Sequence, residues 1–266
     1  MLKLRALTAV VLLIGFGAAL FLMPGWAWML FCALVLVPST LEWGCLAGLS
    51  SGGRSALVVV AELLLWAVLE APVPNLMAIS LAVACAFWIL AVPVWLHQRP
   101  RPGHAVLASV GLLVLVPAFA ALVALRAQGA WVLLAVMAVA WVSDTAAYLG
   151  GRRFGRRKLA PSISPGKSWE GLGAGLVAVA VYSLLVWMTA PALLTGRATW
   201  LAFVLAGLVL AVLGVMGDLM ESQLKRAAGV KDSGTILPGH GGILDRIDAL
   251  LPILPAAAWL LARFGE

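Results

Sequence analysis

All five aspartates of the chain, Asp144, Asp218, Asp232, Asp245 and Asp248, fall in its second half. If the backbone around residue 218 is helical, Asp218, Glu221, Ser222 and Lys225 stand at i, i+3, i+4 and i+7 and line one polar face. Asp245 and Asp248 are one helical turn apart, a spacing that lets two carboxylates share a cation, with Asp218 the natural third ligand from across a helix pair. Oxygen ligands without histidine or cysteine suit Mg²⁺ or Mn²⁺, with room for a second cation. Mg²⁺ takes only a few carboxylates and completes its shell with water and phosphate oxygens, so the cluster calls for a phosphate substrate. The plainer account is a solvated helix start, where acids are favoured by the helix dipole. That account leaves unexplained Lys225, Arg226, Lys231, His240 and Arg246 around the same acids. It also leaves the turn Pro238-Gly239-His240-Gly241-Gly242 between them. Glycines free the backbone to approach a ligand, and free amides at a helix start bind anions.

A second basic segment, Gly151 to Gly171, carries six cations and one acid. Membrane orientation, which needs no ligand, is one account of its arginines. Lys167 is different, because Ser164-Pro165-Gly166-Lys167-Ser168 is a constrained turn with hydroxyls around one ammonium, which fits phosphate capture. It is not a P-loop, since the strand and the full glycine spacing are missing. Asp144 lies within an apolar run, where an aspartate at a helix centre costs about 2.5 to 3.5 kcal/mol to insert. A structural ion pair with a nearby arginine is one account of it, and substrate binding is the other.

The elements that must position these groups are membrane helices. The chain has 266 residues, 64% hydrophobic and 11% charged, with a mean hydropathy of +1.07. An ordinary globular domain is about a quarter charged, so a soluble fold is excluded. Apolar stretches of about 20 residues, the length needed to span the hydrocarbon, recur at 5–23, 26–41, 55–71, 75–96, 104–126, 129–150, 171–190, 199–217 and 243–264. The expected fold is therefore all-α, a polytopic integral membrane protein of about nine transmembrane helices. A cleaved signal peptide at the first stretch is the alternative for the N-terminus.

A net charge of +7 would point a soluble protein toward nucleic acid; here it reads as topology, and no nucleic-acid partner is expected. With nine spans, one side receives 15 of the 18 Lys and Arg, including Lys3, Arg5 and the two polar segments, and the other receives Arg126, Arg197 and Arg263. The positive-inside rule makes the first side cytoplasmic, giving N-in and C-out. Residues 1–128 read as an apolar helix scaffold with almost nothing that could do chemistry, Glu62 and Glu70 being isolated acids. Residues 129–266 carry the site, within one integrated membrane domain. Cys32, Cys45 and Cys85 have no metal-ligand spacing and read as small apolar residues.

The stretch Ser222 to Arg226, Lys231-Asp232, Gly234, Leu237-Pro238, His240-Gly241-Gly242 and Asp245-Arg246-Ile247-Asp248 resembles the signature of phosphatidate cytidylyltransferases, also called CDP-diglyceride synthases. Upstream, Asp144 to Tyr148 and Ser164 to Gly171 are also similar to that family, with Gly166 standing where many members carry lysine. The resemblance implies transfer of the cytidylyl group of CTP to phosphatidate, giving CDP-diacylglycerol and pyrophosphate for phospholipid biosynthesis. It implies a metal-dependent homodimer in which Asp218, Asp245 and Asp248 bind the metal. Alongside these acids, Lys225 and Arg226 are the expected catalytic cations. Asp144, Lys167, Ser222, Lys231, Asp232, His240 and Arg246 are the expected substrate contacts. The expected setting is a bacterial inner membrane, with the site facing the cytoplasm. The rival readings are an ion-coupled transporter, which predicts acids central in several spans, and a related enzyme acting on another lipid phosphate.

Overall fold

The computed structural model describes residues 2–190 and 199–264. Among the described residues ten helices carry the fold: α1 (Leu2–Leu22), α2 (Gly25–Leu46), α3 (Ser51–Glu70), α4 (Leu76–Gln98), α5 (His104–Gln128), α6 (Ala130–Phe154), α7 (Trp169–Thr189), α8 (Trp200–Ala227), α9 (Leu244–Ile247) and α10 (Leu250–Phe264). Seven of them, α2 to α8, are long and apolar enough to cross a membrane, and shorter apolar stretches in α1 and α10 flank these. The chain is an all-α polytopic membrane protein; the first eight expected spans each fall on one helix in order, and the ninth is divided between α9 and α10. Of the residues in the charge split, Arg197 lies outside the described residues, as do the side chains of Lys3 and Arg5.

The helix limits follow from local chemistry. Ser50, Ser168 and Thr199 cap α3, α7 and α8 by accepting from the amides of Gly53, Gly171 and Ala202. Gly129, at φ 152°, is the one residue between α5 and α6, a conformation that a residue with a Cβ rarely adopts. Within α4 the turn Phe87–Ala91 widens to a π-turn just ahead of Pro93, a usual cause of local irregularity in a long helix.

In lipid the helices associate by close packing rather than by the hydrophobic effect, so small residues matter at contacts. Gly111 on α5 leaves the space filled by the Trp43 ring of α2, and Trp43 Nε1 donates to the Leu107 carbonyl at 2.8 Å. The core includes the fully buried Trp28, Trp88, Phe119, Leu115 and Leu133. Contacts sort the connections to two ends of the bundle. At one end His104 Nδ1 meets the Ala47 carbonyl at 2.6 Å, and Thr8 donates to the Pro238 carbonyl. At the other, Arg126 donates to the carbonyls of Leu20 and Met23, and Phe21 packs on Trp131. Both polar segments lie at the first end.

Two local features depart from the sequence reading. Residues 158–168 form an antiparallel hairpin of β1 (Lys158–Ala160) and β2 (Ser164–Ser168), a small addition to an otherwise helical protein. The expected last span, 243–264, is broken: α9 ends at Ile247 and α10 begins at Leu250. Pro252 explains the break, since it has no N–H to donate to the carbonyl of residue 248, so a continuous helix would lose that bond. The freed Asp248 carbonyl instead packs against Gly217 of α8.

Candidate active site

The polar face read from the spacing forms on the last three turns of α8. Ser222 Oγ donates to Asp218 Oδ1 at 3.1 Å. Lys225 Nζ reaches Glu221 Oε2 at 2.6 Å and Asp245 Oδ1 at 2.6 Å. One turn earlier, Lys167 Nζ pairs with Asp218 Oδ2 at 2.5 Å. These are the three ion pairs among the described residues, and all converge on α8. The face thus collects a lysine from the hairpin and an aspartate from α9.

Lys167 is aimed by the hairpin. Ser168 begins α7, and Glu170 in its first turn accepts from the amides of Arg156 (3.0 Å) and Arg157 (3.2 Å), tying the end of α6 to the start of α7. Buried Ile163 anchors the turn between the strands. The result is a cavity of about 490 Å³ between α6, the hairpin, α7 and α8, whose polar lining includes Asp144, Tyr148, Arg152, Lys167 and Asp218. That volume lies within the usual range of small-ligand pockets. Asp144, placed by the sequence about two-thirds of the way through the sixth span, therefore opens into this cavity instead of facing lipid.

Asp245 sits in a cage. Its Oδ2 accepts from the Ser233 amide (2.9 Å), the Ser233 hydroxyl (3.1 Å) and the Gly242 amide (2.8 Å), while Oδ1 takes Lys225. Burial acts to raise its carboxyl, but Lys225 and the two amides outweigh burial and hold it below the ordinary carboxylate range. Asp248 is its opposite. Burial, and then the charge of Asp218, push its carboxyl up to about 7, against the pull of the Ala249 amide, Lys167 and Lys225.

The remaining expected residues lie around this core. Arg226, Lys231, Asp232 and Arg246 are exposed at the rim. His240 is half-buried in the tight turn Leu237–Gly241, where its amide donates to the Leu237 carbonyl at 2.8 Å; its Nδ1 is buried with no hydrogen-bond partner. Gly239 and Gly241, at φ 77° and 82°, give this turn its shape.

Two participants escaped the sequence reading. Arg152 was not singled out from the other arginines of its loop, yet it lines the cavity. Glu42, at the end of α2 and 4% exposed, accepts from the Ser233 hydroxyl (3.0 Å) and the amides of Ile243 (3.0 Å) and Leu244 (2.9 Å). The signal was an acid within an apolar helix, the same that singled out Glu62 and Glu70, but the second span was ended at residue 41.

Among the described residues no three acidic, histidine or cysteine side chains converge closely enough to enclose an ion. Asp218 and Asp248 nonetheless fit a hard divalent cation. They are oxygen donors whose mutual repulsion in a buried setting raises Asp248, and Mg²⁺ needs only one or two carboxylates when phosphates complete its shell. Asp245 does not fit that role as placed, since four donors already occupy its oxygens.

The sequence model of the cytidylyltransferase family matches residues 3–264. A phosphatidate cytidylyltransferase of Pseudomonas aeruginosa is 40% identical over 274 residues, covering 100% of this chain and 98% of that protein. One from Staphylococcus saprophyticus is 34% identical over 264 residues, covering 98% and 99%. One from Haemophilus influenzae is 44% identical over 128 residues, covering 48% and 44%. The chain belongs to the cytidylyltransferase family, and it is an enzyme that transfers a nucleotidyl group. Within that class its similarity is to the phosphatidate cytidylyltransferases, as the motifs implied.

Proposed function

We propose that the enzyme transfers the cytidylyl group of CTP to phosphatidate, releasing CDP-diacylglycerol and pyrophosphate. The observation that carries this reading is the junction of the 490 Å³ cavity with the α8 face, where Lys167, Asp218 and Arg152 meet within a membrane bundle. Full-length similarity to proteins named for this activity supports the substrate pair.

The phosphatidate phosphate is already an anionic nucleophile. One of its oxygens bonds to the α-phosphorus of CTP, the bond from that phosphorus to the bridging oxygen of the β-phosphate breaks, and pyrophosphate leaves with the electron pair. No strong base is required, so the protein's work is positioning and neutralising charge. In this reading Lys167 and Arg152 hold phosphate oxygens in the cavity. Lys225 pairs with both Asp245 and Glu221 and holds them in place, while Arg226, Lys231 and Arg246 draw the polyphosphate to the rim. Ser222 fixes the Asp218 rotamer, and His240 offers its unpartnered Nδ1 to a phosphate or the ribose. Asp144 and Asp232 complete the substrate surroundings. Asp218 and Asp248 would hold a divalent ion. Such a cation, when bound, neutralises the phosphate oxygens and eases departure of pyrophosphate. Asp245, expected from the sequence as a third ligand, is here assigned to shaping the loop.

CTP is a cytosolic solute and the phosphatidate headgroup lies at the leaflet interface, so the polar end of the bundle faces the cytoplasm of a bacterial inner membrane, N-in and C-out. The 15-to-3 charge split agrees with that orientation. A homodimer follows from the resemblance. The test is incorporation of label from [α-³²P]CTP into lipid by purified enzyme in detergent with phosphatidate, with and without Mg²⁺, beside Asp248→Asn. Metal-dependent labelled lipid that is lost in the variant supports the reading. Label transferred only to a different lipid phosphate would overturn the substrate assignment.

A further inference from the structure

Glu42 belongs to the half of the chain that otherwise builds scaffold, yet its polar contacts reach about 200 residues along the chain, 201 to Ile243 and 202 to Leu244. Its Ser233 partner is 191 residues away in sequence. Every contact it makes is with a donor: Oε1 accepts from the Ile243 amide, and Oε2 from the Leu244 amide and the Ser233 hydroxyl. That same hydroxyl also reaches Asp245 Oδ2, so a single serine joins two buried carboxylates. The loop is shaped to admit the acid. A Cβ on Gly234 would meet Glu42 Oε1 at 2.5 Å and Cδ at 2.9 Å, and one on Gly242 would meet Oε2 at 2.5 Å. Gly234 is therefore held small by one side chain of α2, and Gly242 by that side chain together with the Ser233 hydroxyl.

Glu42 is itself fixed. Its neighbour Trp43 is locked to α5 through Leu107 and Gly111, and Ser39 one turn earlier is fully buried and bonded to the Val35 carbonyl. The carboxylate is thus a rigid post on the scaffold. Residues 228–243 hang from it at one side, and Lys225 grips Asp245 at the other. Burying a carboxylate is costly unless its bonds are complete, and here the bonds it accepts set the path of the chain immediately before Asp245 and Asp248.

We propose that Glu42 is a positioning residue for the transfer reaction, holding the loop 228–243 and the following turn so that Asp245 and Asp248 face α8; this rests on the activity proposed above. It touches no substrate and acts through Ser233 and the amides of Ile243 and Leu244. Glutamine at 42 keeps the shape but must turn an NH₂ toward donor groups, setting donor against donor at Ile243 or Leu244.

The experiment uses full-length enzyme in detergent and compares wild type with Glu42→Gln. Two readings are taken: steady-state kinetics, and trypsin cleavage after Lys231, which is exposed in the loop. The expected result is a kcat at least tenfold lower with the KM for phosphatidate within twofold. Cleavage in the loop becomes at least fivefold faster, while the melting temperature stays within a few degrees. A kcat within twofold of wild type, unchanged loop cleavage, or a loss confined to the phosphatidate KM overturns the proposal. If Glu42→Gln does not fold, Gly234→Ala, which crowds the carboxylate without removing it, is read against the same thresholds. Absence of transfer by the wild type would refute the proposed activity, and loop cleavage would then decide the clamp by itself.

Discussion

Gly217 is where the packing of α8 and the placement of Asp248 depend on the same missing methyl group. A Cβ at this position falls against the Asp248 carbonyl oxygen, well inside contact distance, and 2.9 and 3.0 Å from Cδ and Cγ of Pro252. Ordinary carbon contacts lie at about 3.5 to 4.0 Å, so the segment must retreat from α8 by roughly 0.6 Å or more at Pro252. The carbonyl must move further. Neither neighbour is the free end of a flexible chain, so the backbone of 248–252 carries the displacement. Overpacking of this kind costs about 1 to 3 kcal/mol of stability, partly offset by the better helix propensity of alanine, about 1 kcal/mol. The larger effect is on rate, because a displacement near 1 Å at a reacting site costs about 10²-fold. Gly217→Ala is therefore expected to fold, to melt slightly lower, and to lose about 10²-fold in kcat for CDP-lipid formation. Gly173→Ala on α7, where a Cβ meets nothing within 4 Å, serves as the control and retains wild-type turnover. A Gly217→Ala enzyme working within threefold of wild type would refute the claim that Asp248 must sit where Gly217 lets it.

Other expectations follow from the charges. Because Asp248 is pushed up to about 7, divalent binding there must displace a proton at lower pH. Apparent Mn²⁺ affinity, followed by EPR, should rise by about tenfold per pH unit below 7 and level off above it; a flat response from pH 5.5 to 8 would contradict this. Asp218→Asn removes the neighbouring negative charge that helps raise Asp248, so whatever pH-dependent binding survives should move to lower pH; an unmoved profile would contradict the coupling. Lys225→Met leaves Glu221, 2% exposed, and Asp245, 4%, without their shared cation, and breaking a buried pair costs about 3 to 5 kcal/mol. The variant should melt far below wild type in detergent, and an unchanged melting temperature would contradict that role. Ser222→Ala removes one hydrogen bond to Asp218, an effect of about 0.5 to 1.5 kcal/mol, so kcat should fall by no more than about tenfold.

What could be read from sequence was what a single helix or a single loop encodes. Asp218, Glu221, Ser222 and Lys225 were legible because helical periodicity alone puts them on one face, and the structure keeps them there. Lys167 stood out as a lysine in a constrained turn, but its pairing with Asp218 depends on how α7 packs beside α8. The hairpin was not legible, since its strands of three and five residues are shorter than any alternation can reveal. The break before α10 had a readable cause in Pro252, masked by an apolar run that looked continuous. Glu42 was hidden by distance: nothing near it in sequence says that its partners are the residues around 233 and 243. Asp245 shows the limit from the other side. Its spacing from Asp248 suits a shared metal, and the donors it meets from Ser233, Gly242 and Lys225 are brought to it only by the fold.

The central claim is that the lipid phosphate attacks the α-phosphorus of CTP. It is tested most directly by supplying phosphatidate with ¹⁸O in its phosphate and following the products by ³¹P NMR with the purified enzyme. The account predicts that all the label stays in CDP-diacylglycerol, including the oxygen bridging its two phosphorus atoms, and that one unlabelled pyrophosphate appears per lipid formed. Label in the pyrophosphate, or a CDP-lipid whose bridging oxygen is unlabelled, would contradict it.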